Sequence, residues 1–196
     1  MKVNEIFYSL QGEGYYSGTP AVFVRLSGCN LSCPFCDTQH EGGVDMSEED
    51  IVEAVTAYPA RHIVVTGGEP SLQLTESLLD MLHAAGRYVA VETNGTHPLP
   101  KNVDWITLSP KSAFADGAEV VLTRADEVKV IYDGIHDPAA QLSTLHSPLS
   151  TLTFLQPCDT GDAARNTEIV RATVDYIKSH PSWRLSLQIH KILNIQ

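Results

Sequence analysis

Cysteine is scarce in this chain, four in 196 residues, and three of the four stand between positions 29 and 36. So few cysteines, so unevenly placed, exclude a disulfide framework. No apolar run approaches the roughly eighteen residues that a membrane helix requires. There is no secretory n-region or apolar h-region either, so a reducing, cytoplasmic compartment is expected, with no membrane contact. Basic residues are also few. Thirteen Lys and Arg against 24 Asp and Glu leave a formal net charge of −11, which argues against a nucleic-acid partner. No repeat, linker or low-complexity segment breaks the chain, and one domain over residues 1–196 is expected. The apolar fraction of 43% and charged fraction of 19% are those of a globular protein large enough to bury a core.

Short apolar, β-branched runs recur at Ala21–Leu26, His62–Thr66, Tyr88–Glu92, Trp105–Leu108, Val128–Tyr132, Thr151–Gln156 and Arg184–Gln188. They read as parallel strands covered on both faces. Helical patterns lie between several of them. Ser47 with Asp50 makes a capping-box start before Ile51, Val52 and Val55,. Thr75 opens a second helix with Leu78, Leu79 and Leu82 inward and Gly86 beyond its end,. A third runs from Ala163 to His180, with Ile169, Val170, Val174 and Ile177 expected inward, until Pro181 stops it,.

Unusual polar clusters follow the strands: Cys29–Cys36, Thr66–Pro70, Glu92–Gly95, Ser109–Lys111, Gln156, and Gln188 with His190 closing the last strand. Polar groups gathered at strand carboxyl ends mark the working face of a β/α barrel. An open doubly wound sheet would concentrate them at one switch point. Eight units do not fit in this length, so an α/β fold is expected, an incomplete TIM-like barrel of about six βα units.

Cys29, Cys33 and Cys36 have the spacing C-x3-C-x2-C. Three thiolates hold three irons of a [4Fe–4S] cube and leave the fourth open to another ligand. A structural zinc site would need a fourth ligand, and only Cys158 remains,. A zinc-stabilised binding module with Cys158 as that ligand is therefore the non-enzyme alternative. Cys158 otherwise reads as a small buried hydrophobe or a neighbour of the cofactor.

The cysteine spacing, followed by Gly67-Gly68-Glu69-Pro70, resembles the radical S-adenosylmethionine enzymes. That resemblance implies a [4Fe–4S] cluster whose open iron is chelated by S-adenosylmethionine. It also implies that Gly68 and Glu69 hold the methionyl amino group, with Phe35, Cys36 and Asp37 beside the cofactor. Glu92, Asn94, Ser109, Pro110, Lys111, Gln156, Pro157, Cys158 and Asp159 complete the same mouth. Lys111 suits the cofactor carboxylate, and Ser109 a hydroxyl or carboxylate contact.

Ser9-Leu10-Gln11-Gly12-Glu13-Gly14, Arg25, Cys36-Asp37-Thr38 and the segment Ser186–Gln196 further resemble the 7-carboxy-7-deazaguanine synthase family, over essentially the whole chain. The implied activity is a carbon–nitrogen lyase reaction. It is a radical ring contraction of 6-carboxy-5,6,7,8-tetrahydropterin to 7-carboxy-7-deazaguanine with loss of ammonia, in queuosine and 7-deazapurine biosynthesis. Leu10, Gln11, Gly12 and Glu13 would meet the pterin edge, and Arg25 would take its carboxylate bidentately. Thr66, His190 and Gln196 would also face the substrate. By the same resemblance Thr38 would ligate a magnesium ion, and a homodimer served by an electron donor such as flavodoxin or ferredoxin is implied. Ile189 and Ile192 depart from the threonine and tyrosine that this family usually carries. A glycyl-radical activase shares the cysteine motif at similar length, but would need neither the Gln-Gly-Glu-Gly segment nor the His-Lys ending.

Overall fold

A computed structural model describes residues 1–143, 145 and 152–196. Among them nine strands form one sheet in the order β3-β1-β2-β4-β5-β6-β7-β8-β9. The strands are β1 (Lys2–Leu10), β2 (Pro20–Leu26), β3 (Val44–Asp45), β4 (His62–Gly67), β5 (Tyr88–Thr93), β6 (Trp105–Leu108), β7 (Glu127–Tyr132), β8 (Thr153–Pro157) and β9 (Trp183–Leu185). From β2 to β9 every neighbouring pair is parallel. β1 pairs antiparallel with both β2 and β3. The sheet ends on β3 and β9 without closing, and it wraps one cavity, so it is a partial β/α barrel.

The helices are α1 (Glu48–Thr56), α2 (Glu76–Ala84), α3 (Pro138–Ser143), α4 (Ala163–Ser179) and α5 (Ile189–Leu193). Ser47 and Asp50 form the expected reciprocal capping box on α1. Thr75 caps α2 through the Leu78 amide, and Gly86 follows with a φ of 73°. Asp162 caps α4 by accepting from the Ala164 and Arg165 amides. No α-helix joins β5 to β6 or β6 to β7, which is how seven parallel strands fit into so short a chain.

The two faces of the sheet differ. Val22, Val24 and Leu26 of β2 alternate with Ala21, Phe23 and Arg25, and the first set joins Ile63, Val65, Val89, Val91, Leu108, Val130 and Leu155 in the main core beneath the helices. The opposite face carries a small apolar cluster, Phe7, Ala21, Phe23 and Val64. Beside Ala90, Ile131 and Phe154, this face also carries polar and charged side chains: Arg25, Thr66, Glu92, Thr107, Glu127, Lys129 and Gln156. A barrel interior is ordinarily filled by stacked apolar side chains. Here the loop between β1 and β2 fills it instead.

Three expectations need correction. β1 carries no clear strand signal in the sequence, because Asn4, Glu5 and Ser9 break its apolar pattern. The inward stripe of α4 is Ile169 and Thr173, with Tyr176 and Ile177 partly buried. Val170 and Val174 face solvent at 39% and 38% exposure. Thr173 fits the interior because its hydroxyl donates to the Ile169 carbonyl at 2.7 Å. Finally, β9 stops at Leu185, and His190 lies on the short helix α5 rather than at a strand end. Thr151, the first residue of one expected strand, lies outside the described residues; the strand is described from Thr153.

Candidate active site

A cavity of about 710 Å³ opens at the carboxyl ends of the parallel strands. It is lined by Cys29, Cys33 and Cys36, by Gly67 and Gly68, and by the Leu10–Glu13 segment. The cysteine loop leaves β2 directly. Leu31 is buried and anchors it, and Phe35 packs edge-on against Phe114 with ring centroids 4.8 Å apart. Burial pushes the Cys29 and Cys33 thiols above their ordinary range. Their thiolates are therefore favoured only with a cation at hand. All four cysteines are free. Among the described residues no three His, Cys, Asp or Glu side chains gather around a single-ion position. Three free thiols on one loop bordering the cavity suit a cluster that takes three cysteine ligands,.

The Gly-Gly-Glu-Pro turn is tied to the base of the cysteine loop. Gly68 donates its amide to the Leu26 carbonyl at 3.0 Å, and Glu69 donates to Gly28 at 2.8 Å. A Cβ at Gly67 would lie 2.1 Å from the Leu26 oxygen, and one at Gly68 would lie 1.9 Å from the Gly28 oxygen. The glycines are required first by this backbone-on-backbone contact, and only their free side borders the cavity. Glu69 is 1% exposed and does not line the cavity. Its carboxylate accepts from the Ser71 amide at 3.0 Å, the Thr93 hydroxyl at 2.7 Å and the Asn94 amide at 2.7 Å. Asn94 in turn donates to Asn30 of the cysteine loop at 3.1 Å and accepts from Thr96. Glu69 and Asn94 thus brace the β4 and β5 ends against the cysteine loop.

Across the mouth, Lys111 donates to the Ser109 carbonyl at 2.8 Å and to its hydroxyl. Burial, then the charge of Lys129, brings Lys111 down to about 8. Gln156 is fixed by the Ser186 hydroxyl, which donates to it at 2.7 Å, and Ser186 also receives the Gly14 amide at 3.0 Å. Pro157, Cys158 and Asp159 line the same wall, as does Thr38. Pro110 follows Ser109 but does not itself line the cavity.

The β1–β2 loop runs down the barrel's inner face. Gln11 donates to Glu92 at 3.1 Å, and Glu92 also accepts from Thr66 at 3.2 Å. Glu13 pairs with Lys129, whose ammonium stands 3.8 Å from Glu92. The Tyr15 amide reaches Glu127 at 2.8 Å, and Tyr15 and Tyr16 then pack on Trp105, Tyr88 and His62, closing the far end. Burial opposes the charge on Glu13, yet Lys129 holds its carboxyl below the ordinary value. Conversely Glu13 and Glu92 hold the Lys129 ammonium above its own, against burial. Glu127 is pushed up by burial. Lys129 went unread in the sequence because it sits inside the apolar run Val128–Tyr132. A lone Lys on the alternating face of a buried strand was the available signal.

Arg25 and Thr66 are register partners on β2 and β4, so both look into the mouth. Arg25 donates through Nε to Glu5 at 2.7 Å and lines the cavity. The carboxyl-terminal segment closes the other side. The Ile189 amide donates to the Gly12 carbonyl at 3.1 Å, and a Cβ on Gly12 would strike the His190 ring. Gln196 donates to Glu5 at 2.8 Å. Lys191, not singled out in the sequence, bridges Asp37 and Asp159 at 2.7 Å each, and it holds Asp159 down to about 2. Ile192 is 70% exposed, so its departure from the family's usual residue falls outside the cavity.

Residues 23–139 match the family model of the radical SAM superfamily. A 7-carboxy-7-deazaguanine synthase of Bacteroides thetaiotaomicron is 52% identical over 195 residues, covering 100% of this chain and 98% of the relative. Another from Burkholderia multivorans is 41% identical, with 98% of each chain covered. The crystal structure of QueE from Escherichia coli superposes with a TM-score of 0.77 at 33% identity, over 95% of this chain and 92% of that one. With the three-cysteine loop, the glycine turn and the shared cavity in place, the chain belongs to the radical SAM superfamily and, within it, to the 7-carboxy-7-deazaguanine synthases.

Proposed function

We propose that this cavity contracts the ring of 6-carboxy-5,6,7,8-tetrahydropterin to 7-carboxy-7-deazaguanine with release of ammonia, a step in making queuosine and related 7-deazapurines. The observation that carries this reading is that the cysteine loop, the glycine turn and the Leu10–Glu13 segment open on one cavity. Cys29, Cys33 and Cys36 would hold the [4Fe–4S] cluster, and their free thiols line one cavity. S-adenosylmethionine would lie between Phe35, Cys36 and Asp37 on one side and Ser109, Lys111, Gln156 and Pro157 on the other. When bound, the two together supply the one-electron chemistry that starts the rearrangement. Lys111 is half-buried and cationic enough near neutrality to take the cofactor's carboxylate,. Gly68 offers backbone at the cavity wall, and Glu69 and Asn94 position that wall.

The substrate half is more acidic. Gln11, Glu13 and Glu92 present acceptors suited to a pterin's amino and ring N–H donors, and Arg25 with Thr66 suits its carboxylate. Unmatched buried partners of this kind reject analogues strongly. His190 and Gln196 close the substrate from the carboxyl-terminal side. Magnesium is assigned to Thr38, a hard oxygen at the cavity wall that leaves room for water and substrate oxygens. Asp37 beside it is already engaged by Lys191. Family resemblance supports a homodimer, a flavodoxin- or ferredoxin-type donor, a single domain over residues 1–196 and a cytoplasmic site of action. Among the described residues no helix is long and apolar enough to cross a membrane.

The test is anaerobic reconstitution with iron and sulfide, then reduction and incubation with S-adenosylmethionine, magnesium and 6-carboxytetrahydropterin. Mass spectrometry should find 7-carboxy-7-deazaguanine. Release of 5′-deoxyadenosine without that product would leave the superfamily standing and overturn the substrate.

A further inference from the structure

The barrel interior holds more negative than positive charge. Glu13 from the β1–β2 loop, Glu92 from β5 and Glu127 from β7 converge on one ammonium, Lys129 of β7, which is itself 5% exposed. The other charged or titratable groups facing this cluster are Lys111 beyond β6 and His190 of α5. Glu127 has its own donors, the Thr107 hydroxyl at 2.9 Å and the Tyr15 amide at 2.8 Å. Glu92 also accepts from Gln11 and Thr66, while Glu13 is held chiefly by Lys129. The ammonium pairs directly with Glu13 and stands 3.8 Å from Glu92 Oε1, the same oxygen that Gln11 contacts.

We propose that Lys129 is a positioning residue for the substrate, its ammonium shared between Glu13 and Glu92 so that both carboxylates face the pterin as acceptors in a fixed arrangement. The proposal deepens the functional reading above and rests on it. The physical reason is the cost of buried like charges. Two carboxylates close together at one cavity wall repel each other unless a cation stands between them. Without Lys129 one of the pair is more readily protonated, because the two charges then face each other uncompensated. A protonated carboxyl offers a donor where the substrate edge needs an acceptor.

The consequence is a pH signature that a packing role would not give. Lys129→Met keeps the volume of the strand position and removes the charge. In the reconstituted enzyme its KM for 6-carboxytetrahydropterin should exceed the wild-type value at pH 6. The ratio of the two should shrink on the order of tenfold toward pH 8, as one carboxyl regains its charge. Taking the ratio at each pH cancels the substrate's own titration. Lys129→Arg, which keeps the charge, should leave the ratio flat with pH. A KM for Lys129→Met that equals wild type, or a raised ratio that is constant across this range, would overturn the proposal. Lys129→Gln is the second neutral variant and carries the same expectation. If neither neutral variant folds while Lys129→Arg folds and turns over, Lys129 belongs to the fold and the proposal fails. If wild-type enzyme releases 5′-deoxyadenosine but no deazaguanine product, the functional reading fails, whatever the variants do.

Discussion

Glu69→Gln isolates the brace between the β4 turn and the β5 end without touching a cysteine. The carboxylate sits at 1% exposure and accepts three hydrogen bonds, from the Ser71 amide, the Thr93 hydroxyl and the Asn94 amide. An amide in its place has one oxygen. The better orientation keeps that oxygen toward Ser71 and Thr93 and turns the NH2 toward the Asn94 amide. Two donors then face each other. One charge-assisted bond is lost, about 1.5–3 kcal/mol, and a buried donor goes unsatisfied, about 1–3 kcal/mol. Relaxation recovers part of this, so a net loss of about 3 kcal/mol is expected. For a chain of this length each kcal/mol moves Tm by about 2–4 °C, so the midpoint should fall by about 6–12 °C. The assay is thermal unfolding of the cluster-free protein by circular dichroism, which removes any contribution from bound cofactor. A fall of under about 2 °C would show that the three hydrogen bonds do not brace the turn.

Replacing Cys29, Cys33 or Cys36 by Ala should abolish turnover and the visible iron–sulfur absorbance, yet leave the unfolding midpoint of the cluster-free protein within a few degrees. Arg25→Lys should raise the substrate KM more than it slows 5′-deoxyadenosine formation, since the guanidinium fork is lost while the charge stays; equal losses in both would make Arg25 a scaffold residue. Lys191, with the Gly161 amide and Asn166, holds the Asp159 carboxyl down to about 2 from an ordinary 3.8. A depressed carboxyl stabilises the fold above its unfolded value, and that contribution fades as pH falls toward the folded one. The Tm gap between wild type and Asp159→Asn should therefore be constant above about pH 5 and close between pH 4 and 2; a gap that persists at pH 2 would contradict the Lys191 bridge.

Much of the site was legible because its chemistry needs particular residues at fixed spacing. The cysteine loop and the glycine turn follow buried strands whose apolar runs stand out, and the capping box of α1 is written in Ser47 and Asp50. What escaped the reading shares one cause. Where an element is short, half-buried or lined by charge, apolar periodicity says little. β1 alternates toward a polar mouth, α5 is too short for a helical stripe, and α4 turns Thr173 inward because the hydroxyl bonds to its own helix. Lys129 was hidden for a related reason. A parallel strand buried on both faces reads as continuous hydrophobicity, so one charged position inside it passes as a solvent-facing exception. The β1–β2 loop was read at the mouth only. Its descent through the barrel to Trp105 and His62 depends on tertiary contacts that no local pattern encodes.

Central to the proposed reaction is a substrate seated between the charged interior loop and the cysteine loop. An anaerobic crystal structure of the reconstituted enzyme with S-adenosylmethionine and 6-carboxypterin tests it directly. The pterin's amino edge should lie within hydrogen-bonding distance of Gln11, Glu13 or Glu92, with its carboxylate at Arg25 and the cofactor between it and the three cysteines. A pterin bound elsewhere, with the Glu13–Lys129–Glu92 cluster closed and untouched, would contradict it.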